Sequence, residues 1–265
     1  MSIGIFDSGL GGLVMTRAFR EALPQHDFLY LGDTLHVPYG PRSAEAIYDF
    51  TLKAVDYLFD QGCPLVIIAC NTASASALRR LQQEYLPAHY PDRRILGVIV
   101  PTIEAALAGG HRRIGLIGTA FTINSCTYRD ELQKIDPQIE IFGKATPLLV
   151  PLVENNGIGY SEPVLRDYLA SLVERDIDSL ILGCTHYPLF KPLLQKLLPA
   201  TIAIISQDEI IPFKLADYLQ RHPEIDEKLS KNGDIRACLT DVTQSYASIG
   251  EALFGQKLEF EKVKL

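Results

Sequence analysis

Short apolar runs recur along the 265-residue chain, with amphipathic stretches of helix length between them. Seven stand out, at residues 2–6, 27–32, 64–70, 94–100, 113–118, 178–184 and 201–206. Each is rich in Ile, Val and Leu at consecutive positions, which is the pattern of a strand buried on both faces. The segments between them predict helices over 13–22, 43–59, 72–85, 102–108, 162–173, 191–198, 208–220 and 243–254. Strands alternating with helices predict an α/β protein with mostly parallel sheets.

Aligning the strands by the polar residues at their carboxyl ends exposes an internal duplication. VIIACNT, which carries Cys70, Asn71 and Thr72, matches LILGCTH, which carries Cys184, Thr185 and His186. IGIFDSG from Gly4 matches IGLIGTA from Gly115. The two pairs keep the same order at offsets of 114 and 111 residues, so two related half-proteins are expected, each delivering one Cys from a strand end.

Composition narrows the class. Apolar residues are 47% and charged residues 22%, enough to bury a core and too balanced for a disordered chain. No run approaches the ~20 apolar residues of a membrane helix. The first residues place Asp7 in the apolar stretch and no Lys or Arg before Arg17, unlike a signal peptide, so a cytoplasmic location is expected. Net charge is −7 and the basic residues are scattered in pairs, which leaves no footprint for nucleic acid. Five cysteines without a CxxC pair predict free thiols.

In parallel sheets, ligands bind beyond the carboxyl ends of strands, where helix N-termini present free N–H groups. The polar clusters fall at such places. The loop from Asp7 to Gly12 has glycines that would let backbone N–H groups approach an anion, although Val14 stands where a dinucleotide motif needs its third Gly. Either Asp7 or Ser8 could equally be a plain helix cap. A single Cys at a strand end is usually an inert hydrophobe. Here two occur in related contexts, each flanked by hydrogen-bonding residues and each expected ahead of a helix N-terminus that lowers its pKa, which suggests a paired acid and base. Cys63, Cys126 and Cys238 lack this context and are expected to be structural. A zinc site built on Cys70, Cys184 and His186 lacks further ligands. A phosphatase loop would need an Arg well before Arg79. A pyridoxal site would need a Lys in one of these clusters. No metal is expected.

FDSGLGG (6–12), LGDT (31–34), PYG (38–40), ACNTAS (69–74) and GCTHYPL (183–189), in this order, resemble the glutamate racemase family of the aspartate/glutamate racemase superfamily. The resemblance covers essentially the whole chain. It implies two similar, pseudo-twofold related α/β domains facing across a cleft, the first from 1–98 plus 207–265 and the second from 99–206. It implies glutamate as substrate, no cofactor, a homodimer, and D-glutamate delivered to peptidoglycan synthesis. Racemisation removes the Cα proton from one face and returns a proton to the other, so it needs a base on each side. The resemblance assigns Cys70 to D-glutamate and Cys184 to L-glutamate, with Asp7 and His186 tuning the thiols. Substrate contacts are expected from Asp7, Ser8, the backbone of Tyr39 and Gly40, side chains and N–H groups of Asn71, Thr72, Thr119, Thr122 and Thr185, and Glu154 near the ammonium. Two alternatives stay open: an aspartate racemase, and a non-catalytic amino-acid-binding protein.

Overall fold

A computed structural model describes residues 1–265 and contains ten strands. They are Ile3–Asp7 (β1), Phe28–Gly32 (β2), Leu65–Ile68 (β3), Arg94–Gly97 (β4), Arg113–Gly118 (β5), Glu140–Ala145 (β6), Ser179–Gly183 (β7), Ala203–Ile205 (β8), Ile235–Leu239 (β9) and Phe260–Lys262 (β10). Six form one sheet, ordered β10-β9-β2-β1-β3-β4, and four form another, ordered β6-β5-β7-β8. Every strand pairing is parallel. The architecture is therefore α/β, as the alternation of runs and helices predicts.

The duplication read from sequence is written into both the strand order and the register. The block β2-β1-β3-β4 has its counterpart in β6-β5-β7-β8. Gly4 pairs with Val66 and Gly115 with Leu180, so the 111- and 114-residue offsets describe equivalent positions in the two sheets. This equivalence sends Cys70 and Cys184 to the same end of corresponding strands.

Three strands escaped the sequence reading, for a physical reason. β1, β2, β3 and β7 are buried at every position and read as continuous apolar runs. β6 and β10 are sheet edges with no fully buried residue, and β9 is buried only over its last three. Their sequences lack the unbroken Ile/Val/Leu signal. The opposite error occurs at 94–100. That strand stops at Gly97, and Ile99–Ala108 is already helix, because an apolar run fits a buried helix start as well as a strand.

One apolar core runs from the helix faces of Gly12–Ala22 and Gln207–Arg221 on the first sheet, through Leu13, Phe19 and Leu215, into the second-sheet residues Leu180 and Leu182 and the helix Ser161–Val173. The two halves thus share packing, and truncating a member such as Phe19 to Ala would cost about 3–5 kcal/mol. No helix is long and apolar enough to cross a membrane.

Candidate active site

The loops at the carboxyl ends of β1, β3, β5 and β7 converge on a cavity of about 250 Å³ between the halves. Both Cys70 and Cys184 line it. A larger cavity, about 380 Å³, lies where the helices Asn71–Arg80, Ile99–Ala108 and Gln207–Arg221 meet. It has ionic groups such as Arg79 and Glu131 but neither thiol nor imidazole, so the chemistry belongs to the smaller one.

Cys70 follows β3 and is the N-cap of the helix Asn71–Arg80. Its Sγ accepts a hydrogen bond from the Ala73 N–H at 3.4 Å and lies 3.2 Å from Ser8 Oγ. Sequence reasoning expected the helix terminus to lower the thiol's pKa. The net direction is the reverse. Burial, reinforced by the charge on Asp7, pushes Cys70 up to about 12, against the downward pull of Ser8 and Ala73. In the closed cleft Cys70 is a protonated thiol.

Cys184 is held differently. Behind it the chain enters a short 3₁₀ turn, Tyr187–Phe190, which leads into the α-helix Lys191–Leu197. Its partner is His186, with Nδ1 3.8 Å from Sγ. His186 Nε2 in turn meets Glu154 Oε1 at 3.0 Å. Burial opposes charge on this imidazole, but its hydrogen bonds to Cys184 and Glu154 outweigh that and raise it to about 10. Cys184 therefore faces an imidazolium. Glu154, expected beside a substrate ammonium, lines the cavity and there meets His186.

Asp7 ends β1 and is buried behind the cavity wall. Its carboxylate accepts from the Gly9 N–H at 3.0 Å and the Thr185 hydroxyl at 3.2 Å. Burial raises its pKa, partly offset by the positive His186. Of the glycines of this loop, expected to bring backbone to an anion, Gly9 lines the cavity, whereas Gly11 and Gly12 admit protein. A Cβ at Gly11 would overlap His186 Nδ1 and Thr185 Oγ1, so the absent side chain is what lets the second half close on the first.

Ser8, Tyr39, Gly40, Thr72, Thr119 and Thr185 all line the cavity, as expected. Thr72 and Thr119 join their hydroxyls across the halves at 2.8 Å, and Thr119 caps the helix Ala120–Asn124. Thr122 stands behind them, 2.9 Å from Thr119, and does not reach the cavity surface. The Tyr39 hydroxyl donates to Asp33 at 2.6 Å. Asn71 also lines the cavity, but its side-chain amide is engaged behind the cleft by Gln207 and Tyr128. Its free contribution is the N–H at the first turn of a helix, where no intrahelical acceptor exists. Sequence reasoning missed Thr146, Pro147 and Val150, which complete the wall after β6. The signal was present in the duplication, because a strand equivalent to β2 was due between β5 and β7. Cys63 and Cys238 are buried away from the site, and Cys126 lies half-exposed before the helix Thr127–Ile135. No three His, Cys, Asp or Glu side chains gather as a metal-binding group.

The chain has counterparts among known proteins. A glutamate racemase from Roseobacter denitrificans is 41% identical over 236 residues, covering 84% of this chain and 87% of that protein. The structure of a glutamate racemase isoform from Bacillus anthracis superposes with a TM-score of 0.89 at 34% identity, over 100% of this chain and 97% of that one. A Francisella tularensis glutamate racemase in complex with D-glutamate gives the same TM-score at 31% identity, over 99% and 97%. The model of the Asp/Glu/Hydantoin racemase family matches residues 3–208, and with these likenesses it establishes that the chain is a member of that family.

Proposed function

We propose that this protein interconverts L- and D-glutamate with Cys184 and Cys70 on opposite faces of Cα, one thiolate removing the Cα proton while the other thiol delivers its own. The observation that carries the reading is the pair of thiols lining one cavity from equivalent positions of duplicated strands. Such a pair is the minimal set for racemisation, since a single base would return its proton to the face it came from. The racemase relatives and the neighbour solved with D-glutamate support the choice of substrate.

In the L-to-D direction, Cys184 as thiolate removes the Cα proton beside the imidazolium of His186. Cys70, already protonated, delivers its own proton to the opposite face. The reverse direction needs Cys70 as thiolate. The Ser8 hydroxyl and the Ala73 N–H at the helix N-terminus favour that thiolate. Substrate carboxylates meet the N–H groups of Asn71 and Thr72 at a helix N-terminus, the Ser8 and Thr185 hydroxyls, and the backbone of Tyr39 and Gly40. The same reading takes 1–98 plus 207–265 as one domain and 99–206 as the other, and takes the protein as a cytoplasmic homodimer supplying D-glutamate for peptidoglycan without a cofactor.

The test is incubation of the purified protein with L-glutamate in D₂O, with proton NMR and chiral chromatography as readouts. Deuterium should enter Cα as the D enantiomer appears, and activity should survive dialysis against a chelator without added cofactor. Faster turnover of aspartate would move the substrate assignment. Binding without exchange would reduce the protein to an amino-acid receptor.

A further inference from the structure

Behind Cys70 lies a buried polar cluster that the reaction as described does not use. The side-chain amides of Asn71 and Gln207 face each other, with Asn71 Nδ2 donating to Gln207 Oε1 at 2.8 Å and Gln207 Nε2 donating to Asn71 Oδ1 at 3.0 Å. The Tyr128 hydroxyl donates to the same Asn71 oxygen at 2.7 Å. Gln207 Nε2 also lies 3.1 Å from both Thr102 Oγ1 and Tyr128 Oη. All four residues are buried. They come from four elements: the Cys70 helix, the helix Gln207–Arg221 that starts where the chain returns from the second sheet, and the second-half helices Ile99–Ala108 and Thr127–Ile135.

A buried amide with a missing partner costs about 1–3 kcal/mol, and this cluster leaves none missing. Its geometry does more than satisfy polar atoms. Asn71 is the residue after Cys70 and the first of the helix, so fixing its side chain fixes the turn that carries the Cys70 thiol and the free N–H groups of Asn71 and Thr72. Without its partners, the Asn71 amide would have to seek new ones, and Asn71 lines the cavity.

We infer that Gln207, supported by Tyr128, is a positioning residue for the Cys70 half of the site: it pins Asn71 so that the Cys70 turn is presented to the cleft in one orientation. The inference rests on the racemase reading for its kinetic consequence, though not for its structural one. Gln207 touches neither thiol. Its removal should therefore disturb one face of the reaction and spare the other.

A racemisation has an equilibrium constant of unity, so kcat/KM must fall equally in both directions, and ordinary kinetics cannot reveal a one-sided defect. Isotope effects can. Gln207→Met keeps the volume and removes every hydrogen bond. It should lower kcat by about 10²-fold, the loss a displacement of about 1 Å can produce. The primary isotope effect should grow with Cα-deuterated D-glutamate and not with the L enantiomer. Tyr128→Phe, which deletes one hydroxyl, should shift the same ratio less and covers the case in which Gln207→Met fails to fold. Arg79→Met loosens the same helix by breaking its ion pair to Glu131 in the second half, and it should leave the isotope ratio unchanged. Site-resolved alkylation with iodoacetamide needs no turnover: Gln207→Met should change the Cys70 rate several-fold and leave Cys184 alone. Isotope effects that rise equally for both enantiomers, or unaltered Cys70 alkylation, would overturn the inference. A wild-type protein that does not racemise glutamate, with Cys70 alkylation still altered in the variant, would instead fault the reaction and keep the positioning role.

Discussion

The two thiol half-sites share a backbone plan and differ in electrostatics. Cys70 and Cys184 follow corresponding strands paired in corresponding register. Cys70 nonetheless caps an α-helix and is held by neutral groups, Ser8 and Ala73, while Cys184 precedes a 3₁₀ turn and faces a charged imidazole backed by Glu154. Duplication therefore conserved where a sulfur is placed and left open how its proton is controlled. For the proposed reaction, which needs a base on one face and an acid on the other, unequal surroundings are useful.

Deleting either sulfur is the strongest challenge to the comparison. Cys70→Ala and Cys184→Ala should each reduce racemisation in both directions by roughly 10²- to 10⁴-fold or more, with the fold retained by circular dichroism. Near-normal turnover in either variant would end the two-thiol scheme. Cys63→Ala and Cys238→Ala should affect stability alone.

Next in size is Gly11→Ala, which attacks the Cys184 side from the opposite half. The new methyl must displace His186 and Thr185, both buried, so kcat should fall by about 10²-fold while the Ser8–Cys70 contact is untouched. The primary isotope effect should rise for deuterated L-glutamate. A variant with normal kinetics would show that the halves do not need to approach this closely.

Glu154→Gln sharpens the electrostatic contrast. His186 in the folded protein is raised to about 10, above its value of about 6.5 in the unfolded chain. Its stabilising contribution is therefore complete below about pH 6.5 and is lost as pH rises through about 10. Replacing the carboxylate lowers the folded value, so the loss of stability should begin at lower pH. Melting temperatures measured across the neutral to alkaline range check this, and an unaltered pH profile would count against the Glu154–His186 pairing.

Ser8→Ala should be the mildest of the set. It removes one hydrogen bond to the Cys70 sulfur, worth roughly tenfold when that sulfur is ionised. The effect should appear with D-glutamate, whose proton Cys70 must take, as a larger isotope effect than with L-glutamate. Equal isotope effects would place Ser8 outside the control of Cys70.

Much of the fold was legible in the chain. Strands buried on both faces announce themselves as unbroken apolar runs, and the spacing of two Cys-bearing strand ends is enough to reveal the duplication and both thiols. Edge strands such as β6 and β10 were silent, because half-exposed positions carry no fixed pattern, and with β6 went the wall residues Thr146 and Val150.

Local sequence determined which elements form, since burial on two faces and helix periodicity are properties of neighbouring residues, and it determined which residues stand at strand ends. Only the tertiary structure decided what those residues do. The pKa of Cys70 depends on how much solvent the closed cleft excludes and on Asp7, 63 positions away along the chain. Glu154 pairs with His186, Asn71 turns its amide to Gln207, and Gly11 makes room for the other half, through contacts between segments far apart in sequence. Solvation and charge act through space, so the groups that set a proton's affinity are chosen by the packing of the two halves.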